Sequence, residues 1–287
     1  MKFLKGLYFL IFFCVISQTV SISNAEAAAC TVTDGVYSEA EIKSGCEATP
    51  DLYEIVIFKM YLCTSAPTIP TTSATVVLTN CSQVFNNATG ATASVSGTDS
   101  SIDLTGTYSK PPVGTYTHGY AMMDNTFGIT ASFQIDGSMI GEAGGSGVFC
   151  RTVSGSGTHS STSTHSNASS CSATSTAGEK FTETLTHFGG VGESWTVQDT
   201  AENINGTSAS ITGILVDSSG NLASDESEVD KLEGLVSFAS AITFTPNITS
   251  VTMSFNLGEG MSLHRGAGAG DVINIGSGPF QAVFTTN

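Results

Sequence analysis

Short runs in which apolar and polar residues alternate recur along the whole chain. The clearest run is Tyr53 to Cys63, YEIVIFKMYLC, and a second run, TVVLTNC, ends at Cys81 after a link that contains Pro67 and Pro70. Alternation with a period of two is typical of strands that bury one face. Further strands are predicted over residues 114–123, 127–135, 148–153, 181–188, 194–198, 209–216, 242–244, 248–257 and 280–284.

These predicted strands are short, and Gly, Asn or Pro turns separate them. Charged residues make up only 12% of the chain, so the common helix formers Lys, Glu and Arg are scarce. Ser, Thr and Gly are abundant instead, which favours strands and turns. The pattern predicts an all-β fold, an antiparallel β-sandwich of Ig-like or jelly-roll-like type.

One short helix is predicted near residues 226–239. Val229, Leu232 and Val236 recur there at steps of three and four, and a Ser-Asp pair precedes them. Such a pair suits an N-cap and an acidic first turn. A helix that packs over a sheet edge is the simpler interpretation, and a partner-binding helix is the alternative.

Residues 154–178 form a Ser/Thr-rich tract without apolar periodicity. This composition buries too little apolar surface to offset the entropy of ordering the chain, which predicts an exposed loop or linker. The linker would separate an N-terminal lobe, residues 30–153, from a C-terminal β-rich lobe, residues 179–287. A disulfide between Cys150 and Cys171 would favour one continuous sandwich instead.

The N-terminus has the order of a secretory signal peptide, predicted over residues 1–29. Lys2 and Lys5 precede an apolar run of about ten residues, and Ala-x-Ala sites lead up to Cys30. The run is about half as long as a membrane helix. Export with cleavage before Cys30 is the prediction; an uncleaved anchor and lipidation of Cys30 are the alternatives.

Six cysteines remain after the predicted cleavage. An even set in an exported chain predicts disulfides, and sequence neighbours are the favoured partners. The spacings do not match those of a zinc site. The expected pairs are Cys30–Cys46, Cys63–Cys81 and Cys150–Cys171.

The net charge of −16 excludes a nucleic-acid binder, since only nine Lys and Arg residues occur and they are scattered. Strong like charge keeps a protein soluble and repels copies of it from each other. Together with the predicted leader, this favours a secreted or cell-surface location, with the periplasm as the alternative.

Residues 51–137 resemble prealbumin-like, Cna-B-type Ig-like surface modules. The resemblance is carried by a first strand that ends in LCTS, a cysteine-containing second segment, and the stretch KPPVGTYTHGYAM, in which a Pro-x-Gly step leads into a strand. It covers under a third of the chain. It implies a cell-surface stalk or adhesive module. Some such modules carry a Lys–Asn isopeptide bond; Lys59 lies on the first strand, and the sequence shows no partner for it.

No serine nucleophile elbow of the form G-x-S-x-G is present, so the sequence does not favour a serine hydrolase. His118, His187 and His264 lie near predicted strands and would need a distant serine to form a triad. His159 and His165 lie six residues apart in the Ser/Thr-rich tract, where chance is a better explanation than a metal site.

The segment DSSGNLASDESE spaces oxygen-bearing side chains as a twelve-residue calcium loop does. The sixth position departs from that pattern, because Leu222 replaces the glycine of the sharp turn. The alternative interpretation is a strand-ending turn followed by an acidic helix start. The candidate calcium ligands are Asp217, Ser219, Asn221, Asp225 and Glu228.

These observations predict a secreted or cell-surface structural or adhesive protein without catalytic activity. A secreted glycan- or polymer-binding module is the alternative, and it would rely on exposed aromatic residues such as Trp195, the one tryptophan. The predicted partner is a surface or another copy of the chain. Apart from calcium, no cofactor is expected.

Overall fold

Strands dominate the computed structural model, and they pack as an all-β sandwich. The structure describes residues 28–97, 99–101, 103–162, 168–188, 195–204, 207–248, 251–266 and 270–286. The strands are β1 (Val32–Thr33), β2 (Val36–Tyr37), β3 (Cys46–Ala48), β4 (Leu52–Cys63), β5 (Cys81–Val95), β6 (Asp99–Ser101), β7 (Thr107–Tyr108), β8 (Gly114–Thr130), β9 (Ser132–Gly141), β10 (Ser146–Thr152), β11 (Gly155–His159), β12 (Ser169–Ser172), β13 (Phe181–Leu185), β14 (Val197–Ile204), β15 (Thr207–Val216), β16 (Lys231–Phe244), β17 (Val251–Asn256), β18 (Met261–Arg265), β19 (Val272–Ser277) and β20 (Gln281–Thr286). The helices are α1 (Glu39–Ser44) and a single 3₁₀ turn (Glu226–Glu228).

A sheet of nine described strands is built around β8, with the order β14-β15-β16-β8-β4-β5-β7. Strand β4 pairs with β8 along most of its length. On the other side of β8, β16 pairs with the first half and β13 pairs with the second half. Strand β11 extends the sheet beyond β13. The predicted strand over residues 53–63 is confirmed as β4.

A second sheet of eight described strands has the order β1-β2-β9-β19-β18-β3; in addition, β10 pairs with β9, and β12 pairs with β10. Strands β6, β17 and β20 form a separate three-stranded sheet. The predicted sandwich is therefore confirmed, but its sheets are mixed rather than wholly antiparallel. The parallel pairs are β2 with β9, β19 with β9, and β11 with β13.

The main core lies between the two large sheets. Alternate residues of β4 and β8 point into it, among them Ile55, Ile57 and Phe127, and they meet Ile135 of β9 and Ile275 of β19. Each is buried to within a few per cent. Burial of a side chain of this size contributes about 1.5–3 kcal/mol, so this alternation holds the sheets together.

The predicted helix near residues 226–239 is wrong. The 3₁₀ turn ends at Glu228, and β16 then runs from Lys231 to Phe244. Strand β16 pairs with β15 on one side and with β8 on the other, so its backbone groups are satisfied in the sheet. Leu232 and Glu233 are both buried, which means that both faces are covered here and the period-two pattern is lost.

Two further predictions are corrected. Residues 75–80 hold an isolated bridge at Val77 and a turn at residues 79–80 rather than a strand, and β5 begins at Cys81. The tract 154–178 contains β11 and β12, so it is not one structureless loop. Helix α1 was not predicted; the Ser38 hydroxyl caps it by accepting from the Glu41 N–H at 3.5 Å.

Strands from before and after residues 154–178 occur in both large sheets: β13 and β16 pair with β8, and β19 pairs with β9. The alternative of one continuous sandwich fits these pairings.

Nearly all of the predicted signal peptide lies outside the described residues. No helix in the described part of the chain combines the length and the apolarity needed to cross a bilayer.

Candidate functional site

The three predicted disulfides are present. Cys63–Cys81 joins residues that face each other across β4 and β5, and Cys150–Cys171 does the same across β10 and β12. Cys30–Cys46 ties the first described residues to β3. Each of the two large sheets therefore carries a disulfide between adjacent strands.

The Cys63–Cys81 disulfide closes the base of a segment that we call the strap, residues 64–80. The strap folds back on itself through bridges that pair Thr68 with Val77 and Thr71 with Ala74. Its tip is fixed to the turn after β15, because the Leu222 N–H donates to the Thr71 carbonyl at 3.0 Å. The strap is therefore held at both ends.

The positions of its two ends indicate that the strap crosses the outer face of the nine-stranded sheet, the face opposite the main core. Its base lies beside His118 of β8, which pairs with Cys63. Its tip lies beside the end of β15, where Val216 pairs with Lys231, which in turn pairs with Asp124 of β8. Six residues of β8 separate the two ends, a distance of about 20 Å at a rise of about 3.3 Å per residue.

A carboxylate lies on this face between the two ends of the strap. Glu233 of β16 pairs with Met122, and the neighbouring positions toward the base are Tyr120 of β8 and Tyr61 of β4. Glu233 is 0% exposed and Tyr120 is 3% exposed. In the strap, Pro67 and Pro70 are buried as well.

Neither carboxylate oxygen of Glu233, nor the Tyr120 hydroxyl, has a hydrogen-bond partner of regular geometry among the described residues. Burial raises the pKa of Glu233 to about 7, and the nearby Tyr120 hydroxyl opposes that rise because it interacts with the charged form. The pKa of Tyr120 is also raised, first by burial and then by the Glu233 carboxylate. Tyr61 shows the same two causes and a raised pKa.

Searches of protein-family models, curated proteins and solved structures found no match to this chain. The resemblance of residues 51–137 to prealbumin-like modules stays a prediction. Lys59, which that resemblance singles out, pairs in register with Asn86 of β5 and with Met122 of β8.

A second buried carboxylate, Glu183 of β13, lies in the main core and is 1% exposed. Its Oε2 accepts from the Ser277 N–H at 2.6 Å, which links the two large sheets. Its Oε1 lies 3.9 Å from Nδ1 of His159. Tyr53 lies nearby, and its pKa is raised by burial and by the Glu183 charge. This group connects β11, β13 and β19.

The candidate calcium ligands lie in the turn between β15 and β16. Asp217 Oδ1 accepts from the N–H groups of Asn221 and Ser219 at 2.9 and 2.8 Å, which lowers the pKa of Asp217. Asp225 caps the 3₁₀ turn by accepting from the Ser227 N–H. The Ser224 hydroxyl donates to Glu228 at 2.6 Å.

These candidate calcium-binding residues therefore stabilise two successive local turns. In the described residues, no group of three or more His, Cys, Asp or Glu side chains is arranged to hold a metal ion. Calcium binding stays a prediction, and calorimetry of the native protein at millimolar calcium, with Asp217→Ala as the control, tests it.

The histidines are placed in separate elements. Nδ1 of His118 lies 2.8 Å from the Thr117 hydroxyl, and partial burial lowers the pKa of His118. His264 lies on β18 in the other sheet. His187 stacks on Trp195, with ring centroids 6.0 Å apart and planes 12° apart. His159 lies on β11, and His165, for which chance spacing is the favoured explanation, lies outside the described residues.

Sequence reasoning missed Glu233 as a site residue, because residue 233 falls within the predicted helix and would have been counted among its polar positions. The sequence nevertheless contains a pattern that could have indicated a buried acid. The run LEGLV places one acid among apolar residues, a pattern that is unusual for a solvent-facing strand position.

Proposed function

We propose that this chain is a non-catalytic structural or adhesive protein that works outside the cytoplasm. The observation that carries the proposal is the set of three disulfides, with one cross-strand disulfide in each large sheet. Disulfides form and persist in oxidising compartments, and they stabilise domains that meet shear, proteases or dilution outside the cell.

Three of the polar groups described above are engaged in local structure, which supports a non-catalytic role. Glu183 binds a backbone N–H of the other sheet, Asp217 holds its own turn, and His118 contacts its neighbour Thr117. A catalytic group is instead presented to a substrate with its reactive atom accessible. The strongly negative net charge is consistent with a protein that stays soluble at the ionic strength outside the cell.

Localisation of the full-length chain tests the proposal. An antibody against the native protein should label intact cells, and gentle shearing should release the protein in assemblies larger than one chain. A variant without residues 1–29 is the control and should stay in the cytoplasm with reduced thiols. Wild-type protein confined to the cytoplasm, or turnover of a substrate by the purified protein, would contradict the proposal.

The second candidate is a glycan- or polymer-binding module, and the His187–Trp195 stack favours it. Trp195 is partly exposed, and a flat ring held by a second ring is a suitable platform for the apolar face of a sugar. On a glycan array, Trp195→Ala should lose binding while Trp195→Phe keeps part of it. Absence of binding by the wild type would leave the structural role as the proposal.

A further inference from the structure

The two ends of the strap span the sheet face on which Glu233 is buried, and this acid has no counter-ion among the described residues. Residues 64–80 contain no Asp, Glu, Lys, Arg or His, so the strap supplies no charge to Glu233 beneath it. Within the described residues, no Lys, Arg or His nitrogen lies within 4.0 Å of the Glu233 carboxylate. The docked strap is therefore compatible with neutral Glu233 and much less so with the carboxylate.

The ionisable groups around Glu233 do not change this conclusion. Lys231, two residues away on β16, pairs with Asp230 at 2.7 Å and lies 5.0 Å from the centre of the Phe58 ring. On β15, the paired positions on this face are Thr212, Ile214 and Val216, none of which ionises. Among the side chains that the structure describes, the other ionisable residues on or beside this face are Lys59 and Tyr61 of β4, His118, Tyr120 and Asp124 of β8, and Asp217, Asp225, Glu226 and Glu228 of the β15–β16 turn.

We propose that the strap is a pH-controlled cover, which is docked on the outer face while Glu233 is protonated and leaves that face when Glu233 ionises. The contact that breaks is the hydrogen bond from the Leu222 N–H to the Thr71 carbonyl at the tip. The Cys63–Cys81 disulfide keeps the base in place. Opening gives water and solutes access to Tyr61, Tyr120 and the Glu233 carboxylate.

The direction of the pH effect follows from the pKa of Glu233 in the docked and open states of the strap. With the strap docked, burial holds the pKa of Glu233 at about 7, whereas a solvated glutamate has a pKa of about 4.5. Between these values the open state loses its proton first, so rising pH favours opening. The difference corresponds to an increase of about two orders of magnitude in the opening equilibrium between pH 4.5 and pH 7.5, with little further change at higher pH.

Amide-hydrogen exchange of Leu222 in the full-length oxidised protein tests the proposal, because this N–H reports on docking directly. Protection factors are corrected for the intrinsic pH dependence of exchange and are measured from pH 4.5 to pH 8.5. The protection of Leu222 should fall by about 100-fold by pH 7.5 in the wild type. Amides of β19, in the other sheet, should keep their protection.

Glu233→Gln keeps the shape and removes the ionisation, so protection of Leu222 should not vary with pH. Glu54→Gln, on β4 of the same sheet but away from the strap, is the matched control and should behave as the wild type does. Tyr120→Phe provides an independent measure, since it removes the hydroxyl that opposes the rise in pKa. It should move the midpoint to higher pH.

Three results would overturn the proposal. The first is constant protection of Leu222 across the range in the wild type. The second is an unchanged pH response in Glu233→Gln or an unchanged midpoint in Tyr120→Phe. The third is an equal loss of protection in β19, which would mean that the whole sandwich opens.

Discussion

At the scale of single residues, Glu233 shows how burial in a sheet that is covered on both faces changes the pKa of an acidic side chain. Its neighbours are the hydroxyl groups of Tyr61 and Tyr120, which can interact with a carboxylate but cannot neutralise it. Desolvation therefore dominates and keeps the acid protonated below about pH 7. Glu183 meets a backbone N–H instead, so the two buried acids are stabilised differently.

We expect Glu233 to make the protein less stable as pH rises. In the unfolded chain the carboxyl ionises near pH 4.5, but in the folded chain it stays protonated until about pH 7. Its contribution to stability is therefore complete below pH 4.5 and is lost as pH rises to 7. The loss amounts to about 3 kcal/mol, less whatever strap opening relieves.

Urea unfolding at pH 4.5 and pH 8 measures this contribution as a difference between the wild type and Glu233→Gln. The difference cancels other carboxylates, such as Asp217 and Asp271, whose lowered pKa values act in the opposite direction. An identical pH dependence in the two proteins would contradict the prediction.

At Gly178, neighbouring backbone atoms rather than side chains determine whether a larger residue can be accommodated. A Cβ there would lie 2.3 Å from the Ala131 carbonyl oxygen, whereas a Cβ at Gly155 would have its nearest neighbour, a Phe181 ring atom, at 3.6 Å. Gly178→Ala should cost about 1–3 kcal/mol, because backbone atoms must move. Gly155→Ala should change the free energy of unfolding by less than about 0.5 kcal/mol. Equal effects in urea titrations would contradict this account.

At the scale of elements, the strap is an excursion whose base is fixed covalently and whose tip is fixed by one hydrogen bond. The ladder between β4 and β5 continues up to the pair of Cys63 and Cys81, so the disulfide closes the excursion at the end of regular pairing. The Cys150–Cys171 disulfide instead lies within the ladder between β10 and β12 of the other sheet, where it faces the main core.

Removal of the Cys63–Cys81 disulfide should destabilise the protein and release the strap. The sequence separation of 18 corresponds to about 3 kcal/mol in the chain-entropy model. The double variant Cys63→Ala and Cys81→Ala should lose this amount in urea titrations and should lose the protection of Leu222 at every pH. The double variant Cys150→Ala and Cys171→Ala is the control: it should lose a similar amount of stability while the strap keeps its pH response.

At the scale of the molecule, the two large sheets are each assembled from both halves of the chain. Strand β8 has partners from residues 181–185 and 231–244, and β9 pairs with residues 272–273. Neither half can complete a sheet alone, so the sandwich should unfold as one cooperative unit.

Denaturation followed by two probes tests this cooperativity. Trp195 fluorescence reports on the region between β13 and β14, and amide exchange of β9 reports on the N-terminal half. The two transitions should coincide in the oxidised protein. A fragment of residues 30–153 should show no cooperative transition. Two separated transitions would support independent lobes instead.

The sequence alone determined the fold class, β4, the three disulfides and the position of the acidic turn. Each depends on local information, since alternation needs only a few neighbouring residues and a disulfide between sequence neighbours closes a short loop. Tertiary structure decided the rest. Residues 231–239 became a strand because β15 and β8 supply hydrogen bonds on both sides, which outweighs helical spacing. Glu233 became a buried acid because its pairing with Ile214 and Met122 places it on the face that the ends of the strap span, and no local pattern specifies contacts between segments 153 or more positions apart.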